Sequence, residues 1–263
     1  MPNYGVGPAG LPFHRFGDGD RPLVFIPGVM DPLGWNDPGR PGAELLARYY
    51  FRSFRNFDVW VLSRPPGLDA DTSVSEIAEH YGEALATIGP AHVVGFSFGG
   101  FIAAELAAAW PDRIDRLVLA MSGPRYGEYG QQVLDRWASL GDARRWAEIH
   151  RSYAETVYSG FRGWLVPTLY RLGSPLLPTP VVSTDVARTM QLAREYRGAR
   201  TLEEVDTSTL VLAGTRDVMV PESLIRSGAT RLSDVTVASL PGGHAAYEEC
   251  RTAFATTVGN FLA

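Results

Sequence analysis

Val93-Val94-Gly95-Phe96-Ser97-Phe98-Gly99-Gly100 is the stretch whose reading decides the fold. A short apolar run ends in Gly-x-Ser-x-Gly, and an alanine-rich helical pattern from Phe101 to Trp110 follows at once. Strand, tight turn, serine and helix in that order lift a serine hydroxyl to the top of a parallel sheet. Gly95 and Gly99 have a physical task in this layout. The turn strains the backbone at its serine, and residues without a Cβ let strand and helix approach closely. A five-residue motif also occurs by chance, so the flanking strand and helix patterns carry the reading.

Working outward, the chain repeats the same rhythm. Leu23-Val24-Phe25-Ile26 is a continuous apolar run, as in a strand covered on both faces, and it enters the loop Pro27-Gly28-Val29-Met30-Asp31. Pro41 opens a helical pattern with Leu46, Tyr50 and Phe54, and Leu45 and Tyr49, at spacings that stack along one side. Asp58 to Leu62 is a second buried strand. Ser73 or Ser75 caps a helix carrying Ile77, Tyr81, Leu85 and Ile88, which Gly89-Pro90 stops. Beyond the serine turn, Arg116 to Met121, Leu210 to Gly214 and Val235 to Leu240 read as strands, and Glu248 to Leu262 as a closing helix. Upstream, Leu11 to Phe16 alternates weakly before Gly17-Asp18-Gly19-Asp20, a hairpin-turn composition. Strands alternating with helices predict an α/β fold with a mainly parallel central sheet and helices on both faces.

The rhythm breaks over residues 124–204, which hold no convincing strand and many tryptophans and tyrosines. Asp142 is placed to cap a helix whose Trp146, Ile149, Tyr153 and Val157 fall at helical spacing. Gly163 to Pro180 reads as a lid-like loop, and Ser183 or Thr184 starts a helix ending near Gly198. The expected division is a core of residues 1–123 and 205–263 with an inserted helical cap of residues 124–204.

A serine hydroxyl needs a base to become a nucleophile near neutral pH. Of the five histidines, His14 and His92 sit beside or within strands and His80 and His150 in helical patterns. His244 follows a strand in Leu240-Pro241-Gly242-Gly243-His244, at the sheet edge expected for Ser97. Its imidazole needs an acceptor to set the tautomer. Asp217, just past the strand ending at Gly214, is the best placed; Glu248 and Glu249 fall in the closing helix, and Asp31 is a rival on an earlier loop.

With nucleophile, acid and histidine in the order Ser97, Asp217, His244, the chain resembles the α/β-hydrolase superfamily over nearly its whole length. The resemblance implies a catalytic triad of these three and places residues 124–204 where the family carries its variable cap. It also implies an oxyanion hole built from two backbone N–H groups: Phe98, which follows the nucleophile at a helix start, and Val29 on the loop after an early strand. Similar hydrolases often begin that loop with His-Gly. This chain has Pro27-Gly28, which removes an imidazole from the floor of the site but keeps the glycine and the backbone donor.

The expected activity is hydrolysis of a moderately hydrophobic ester, thioester or lactone through an acyl-serine. Met30, Trp137, Trp146 and Trp164 are the candidate substrate-binding residues, and Tyr153, Tyr158, Phe161 and Tyr170 are further aromatics of the cap. Two alternatives stand beside it: carbon–carbon bond hydrolysis, elimination or cyclisation by the same triad, and ligand binding without turnover. No clustered metal-ligand spacing or nucleotide-binding loop occurs in the sequence, so neither a metal nor an organic cofactor is expected. The 263 residues carry a net charge of −5, with 45% hydrophobic and 20% charged residues, which argues against nucleic acid as a partner. A single cysteine, no basic-then-apolar leader and no apolar run of about 20 residues point to a cytoplasmic chain without a membrane partner. The expected partner is a small-molecule substrate, with monomer and homodimer equally open.

Overall fold

The computed structural model describes residues 3–39, 42–173 and 176–263. Eight strands form one sheet: β1 (Tyr4–Val6), β2 (Pro12–Phe16), β3 (Pro22–Ile26), β4 (Asp58–Leu62), β5 (Ala91–Phe96), β6 (Ile114–Ala120), β7 (Thr209–Gly214) and β8 (Val235–Leu240). Their order is β1-β2-β4-β3-β5-β6-β7-β8, antiparallel at the β1–β2 and β2–β4 pairs and parallel from β4 to β8. This is the mainly parallel sheet with helices on both faces that the apolar runs predict.

The two faces follow from the period-two alternation of a strand. Val24, Ile26, Val93, Leu117, Leu119 and Val211 point into one core, with Ile77, Tyr81, Ile102 and Leu106 from the helices over that face. Their neighbours Leu23, Phe25, Val94, Val118, Leu210 and Leu212 point into the other, against Phe54, Phe254 and Val258. The first layer is α2 (Val74–Ile88) and α3 (Phe98–Ala109); the second is α1 (Ala43–Phe51) and α11 (Arg251–Leu262). Ser73 caps α2 in a reciprocal capping box with Glu76.

Five sequence readings change. The Gly17–Asp20 turn is no hairpin: β2 pairs with β4, which inserts between β2 and β3. Its glycine is needed for that insertion, since Gly17 has φ +104° and a Cβ there would strike the Phe57 carbonyl at the approach to β4. Pro41 lies outside the described residues, and α1 exposes Leu45 and Tyr49 instead of burying them. The closing helix is two: α10 (Ala246–Glu249) and α11, separated at Cys250, where ψ is 42°. Asp142 ends α4 (Glu128–Asp142), and the next helix, α5 (Trp146–Val157), starts after Arg145.

Between β6 and β7 the chain also forms α6 (Gly160–Leu172), α7 (Ser183–Glu195) and α8 (Ala199–Glu203), with α9 (Glu222–Ala229) after β7. Much of the stretch from Gly163 to Pro180 is therefore helical, with Pro167 inside α6; residues 174–175 lie outside the described residues. The longer helices α4 and α7 pack along one another, as do α5 and α6. No described helix is long and apolar enough to cross a membrane.

Candidate active site

The site lies at the carboxyl ends of β3, β5, β6, β7 and β8. At the end of β5, Ser97 adopts φ 52° and ψ −118°, a left-handed conformation costing about 1–3 kcal/mol for a non-glycine residue. The flanking glycines make it possible. A Cβ on Gly95 would run into the Gly99 carbonyl, and one on Gly99 into the Ile26 carbonyl of the neighbouring strand. The hydroxyl then projects above the sheet at the start of α3, whose dipole favours negative charge there.

Three segments converge on it. His244, on the loop after β8, brings Nε2 to 2.7 Å from Ser97 Oγ. Its Nδ1 lies 2.7 Å from Asp217 Oδ2, on the loop after β7. The other carboxylate oxygen of Asp217 accepts the Met219 and Val220 N–H groups at 2.8 and 3.0 Å, so the acid is held from both sides. Ser97, Asp217 and His244 are all more than nine-tenths buried. With Nδ1–H donating to Asp217, Nε2 accepts the Ser97 O–H.

That assignment leaves the serine oxygen free to accept, and Tyr126 fills the role: its hydroxyl is 2.7 Å from Ser97 Oγ. Tyr126 is fully buried on the loop after β6, where Arg125 and Gln131 both donate to its carbonyl. Burial raises its phenol pKa well above the usual value, which keeps it a proton donor. The Phe98 N–H is directed at the same phenol oxygen. Of the two expected oxyanion donors, Val29 thus lines the cavity beside Ser97, whereas Phe98 faces the Tyr126 hydroxyl.

The Pro27–Gly28 loop is held by a buried arginine. Arg64 donates to the Pro27 and Gly28 carbonyls at 3.1 and 2.9 Å, and its guanidinium stacks over the Phe98 ring. Asp31 holds Arg64 in turn: it accepts the Arg64 N–H at 3.0 Å and the Ser63 hydroxyl at 2.8 Å, with the guanidinium 3.7 Å away. Asp31 is therefore placed on the loop anchor and not on His244.

One cavity opens over Ser97 and His244. Its walls include Val29, Met30, Phe96, Met121, Trp137 and Val157, together with Tyr50, Tyr153, Tyr158, Tyr170, Tyr247 and Glu248. Met30 and Trp137 are thus on its wall. Trp146 is not; it packs against the core below α5. Trp164 and Phe161 are not either, being 66% and 72% exposed on the outer side of α6. Helical spacing marks which residues share a helix side but not which side meets the cavity. Glu248 accepts the Tyr158 hydroxyl at 2.6 Å and the Tyr50 hydroxyl at 3.4 Å, and burial raises its carboxyl pKa. The neighbouring Glu249 is spent on structure, accepting the Ser159 hydroxyl and the Ser159 and Gly243 N–H groups.

Sequence reasoning missed Tyr126, Arg64 and Glu248 as site residues. The signal for Tyr126 and Arg64 was available: each follows the carboxyl end of a strand, as do Ser97, Asp217 and His244. Glu248 had no such mark.

Comparison with known proteins shows the family. The model of the alpha/beta hydrolase family matches residues 23–257. RutD of Caulobacter sp. (strain K31), a protein named as a carbamate hydrolase, is 33% identical over 181 residues, and the match spans 65% of this chain and 65% of that relative's length. Among solved structures, MGS-M2, an alpha/beta hydrolase from a Medee basin deep-sea metagenome library, superposes with a TM-score of 0.79 at 18% identity, covering 96% of this chain and 94% of its own. The enol-lactonase from Burkholderia xenovorans LB400 gives 0.77 at 17% identity, covering 98% and 99%. At these identities the two structures speak to the fold.

Proposed function

The chain belongs to the alpha/beta hydrolase family; we propose that it is an esterase-like hydrolase that cleaves a moderately hydrophobic carboxylic ester, thioester or lactone through an acyl-enzyme on Ser97. The observation carrying this reading is the unbroken hydrogen-bonded relay from Ser97 through His244 to Asp217, opening into a largely apolar cavity. His244 takes the Ser97 proton as the oxygen attacks the carbonyl carbon, and Asp217 stabilises the imidazolium that forms. The developing oxyanion takes over the Phe98 N–H from the Tyr126 oxygen, with the Val29 N–H on its other side, and Tyr126, already touching Ser97 Oγ, donates its O–H to it. One such donor is worth about 2.7–4 kcal/mol of transition-state stabilisation. His244 then protonates the leaving group and activates the water that releases the acid. The helices of residues 124–204 act as the cap that closes the cavity from water.

A fluorophosphonate followed by intact mass tests the activated serine. One adduct on the wild type and none on Ser97→Ala is expected; an unlabelled wild type overturns the reading. Nitrophenyl esters of increasing acyl length then report the cavity, with turnover expected to peak at one length.

A further inference from the structure

Acyl transfer at Ser97 leaves one charged group of the cavity without a task. Glu248 is about nine-tenths buried, and what it exposes faces the cavity that holds Ser97 and His244. Among the described residues no arginine or histidine forms an ion pair with it. Arg162 and Arg251 act on it only from beyond ion-pair distance, and Arg251 lies over the rings of Tyr49 and Tyr50, at 4.2 and 5.4 Å from their centroids. The hydrogen bonds its carboxyl accepts come from hydroxyls, those of Tyr158 and Tyr50. A buried carboxylate without a cation in contact costs several kcal/mol, and a glutamine would satisfy the same hydroxyls without that cost.

The surroundings say what the charge is suited to meet. Tyr50, Tyr153, Tyr158, Tyr170 and Tyr247 wall the same cavity around Glu248. Burial keeps these phenols neutral, their pKa values all raised. Neutral aromatic rings attract a cation through their quadrupole, and a carboxylate adds a full opposite charge. A hydrocarbon acyl chain has no use for either. Carboxylate and aromatic rings together suit an ammonium group, whose methyl or methylene surface packs on the rings while its charge replaces the missing partner of Glu248.

We propose that Glu248 and its ring of tyrosines form a subsite for an organic cation, so that the substrate opened at Ser97 carries a protonated or quaternary amine elsewhere in the molecule. The chemistry rests on the acyl-serine reading; the binding does not. Calorimetry on Ser97→Ala separates the two, using choline and 3,3-dimethylbutan-1-ol, which share a shape and differ in charge. Choline is expected to bind at least ~10-fold more tightly than the neutral alcohol, and Glu248→Gln to bring the two together. Equal binding of the pair to Ser97→Ala overturns the subsite with no need of the Glu248 variant. In the active enzyme, kcat/KM for butyrylcholine over that for 3,3-dimethylbutyl butyrate is expected to be about tenfold and to fall toward one in Glu248→Gln. A ratio of one in the wild type likewise overturns it. Choline binding without turnover of either ester supports the subsite and overturns the acyl-serine reading instead.

Discussion

Asp217 and Glu248 are both buried carboxyls next to the same histidine loop, and the protein treats them in opposite ways. Asp217 has its charge matched from within: one oxygen faces the His244 imidazole, which turns cationic on taking the Ser97 proton, the other accepts two backbone N–H groups, and its side chain is fully covered. Glu248, four residues beyond His244, is given tyrosine hydroxyls and no cation within ion-pair distance, with Arg162 and Arg251 acting only from further off. Asp31 repeats the first pattern, with Arg64 as its partner. A charge matched inside the fold holds geometry, whereas one left unmatched on a cavity wall stores binding energy for a ligand.

The comparison breaks most visibly at Asp217. Asp217→Asn keeps the shape but favours the wrong tautomer of His244, and kcat for a nitrophenyl ester is expected to fall on the order of 10⁴-fold. A loss below tenfold would show that the matched charge is structural only. Next in size is Arg64→Met, which strands Asp31 and frees the Pro27 and Gly28 carbonyls. Removing one partner of a buried pair costs about 3–5 kcal/mol, and denaturant melts should show a loss of that order. If stability is unchanged, the Asp31–Arg64 pair does not hold the loop.

Tyr126 tests what a neutral donor adds beside the matched charge. Tyr126→Phe deletes one hydroxyl and is expected to lower kcat/KM on the order of 10²-fold while stability changes little. Fluorophosphonate labelling should slow with it. An unaffected rate would demote the hydroxyl to packing.

The smallest effect sharpens the Glu248 side of the comparison. Burial raises its carboxyl pKa, so folding shifts its titration to higher pH than in the unfolded chain. Its stabilising contribution is complete at acid pH, below the unfolded value, and is lost as pH rises through the folded one. Glu248→Gln escapes that loss. The variant's Tm relative to wild type should therefore climb as pH rises from acid to neutral, by a few degrees at about 2–4 °C per kcal/mol for a chain of this size. The phenols of Tyr50, Tyr153, Tyr158, Tyr170 and Tyr247 and the arginines at 162 and 251 surround the carboxyl in both proteins, so the difference isolates Glu248. A flat difference across that range would mean the charge is already satisfied.

Much of this molecule is legible along the chain because its physics is local. Apolar runs such as Leu23–Ile26 and Val93–Val94, short and followed by loop or turn residues, read as strands covered twice, and the glycines around Ser97 announce a close approach of strand and helix. A histidine and an aspartate that each follow a strand end share one sheet edge, since parallel strands all finish on the same side. The insertion of β4 beside β2, the Tyr126 hydroxyl on Ser97, the outward turn of Trp164 and the tyrosines from α1, α5, α6 and α10 around Glu248 were decided by tertiary packing alone. Each depends on which sides of separate helices and loops meet across the sheet edge. Spacing within one segment cannot encode that, because packing free energy belongs to the contact between segments and not to either one.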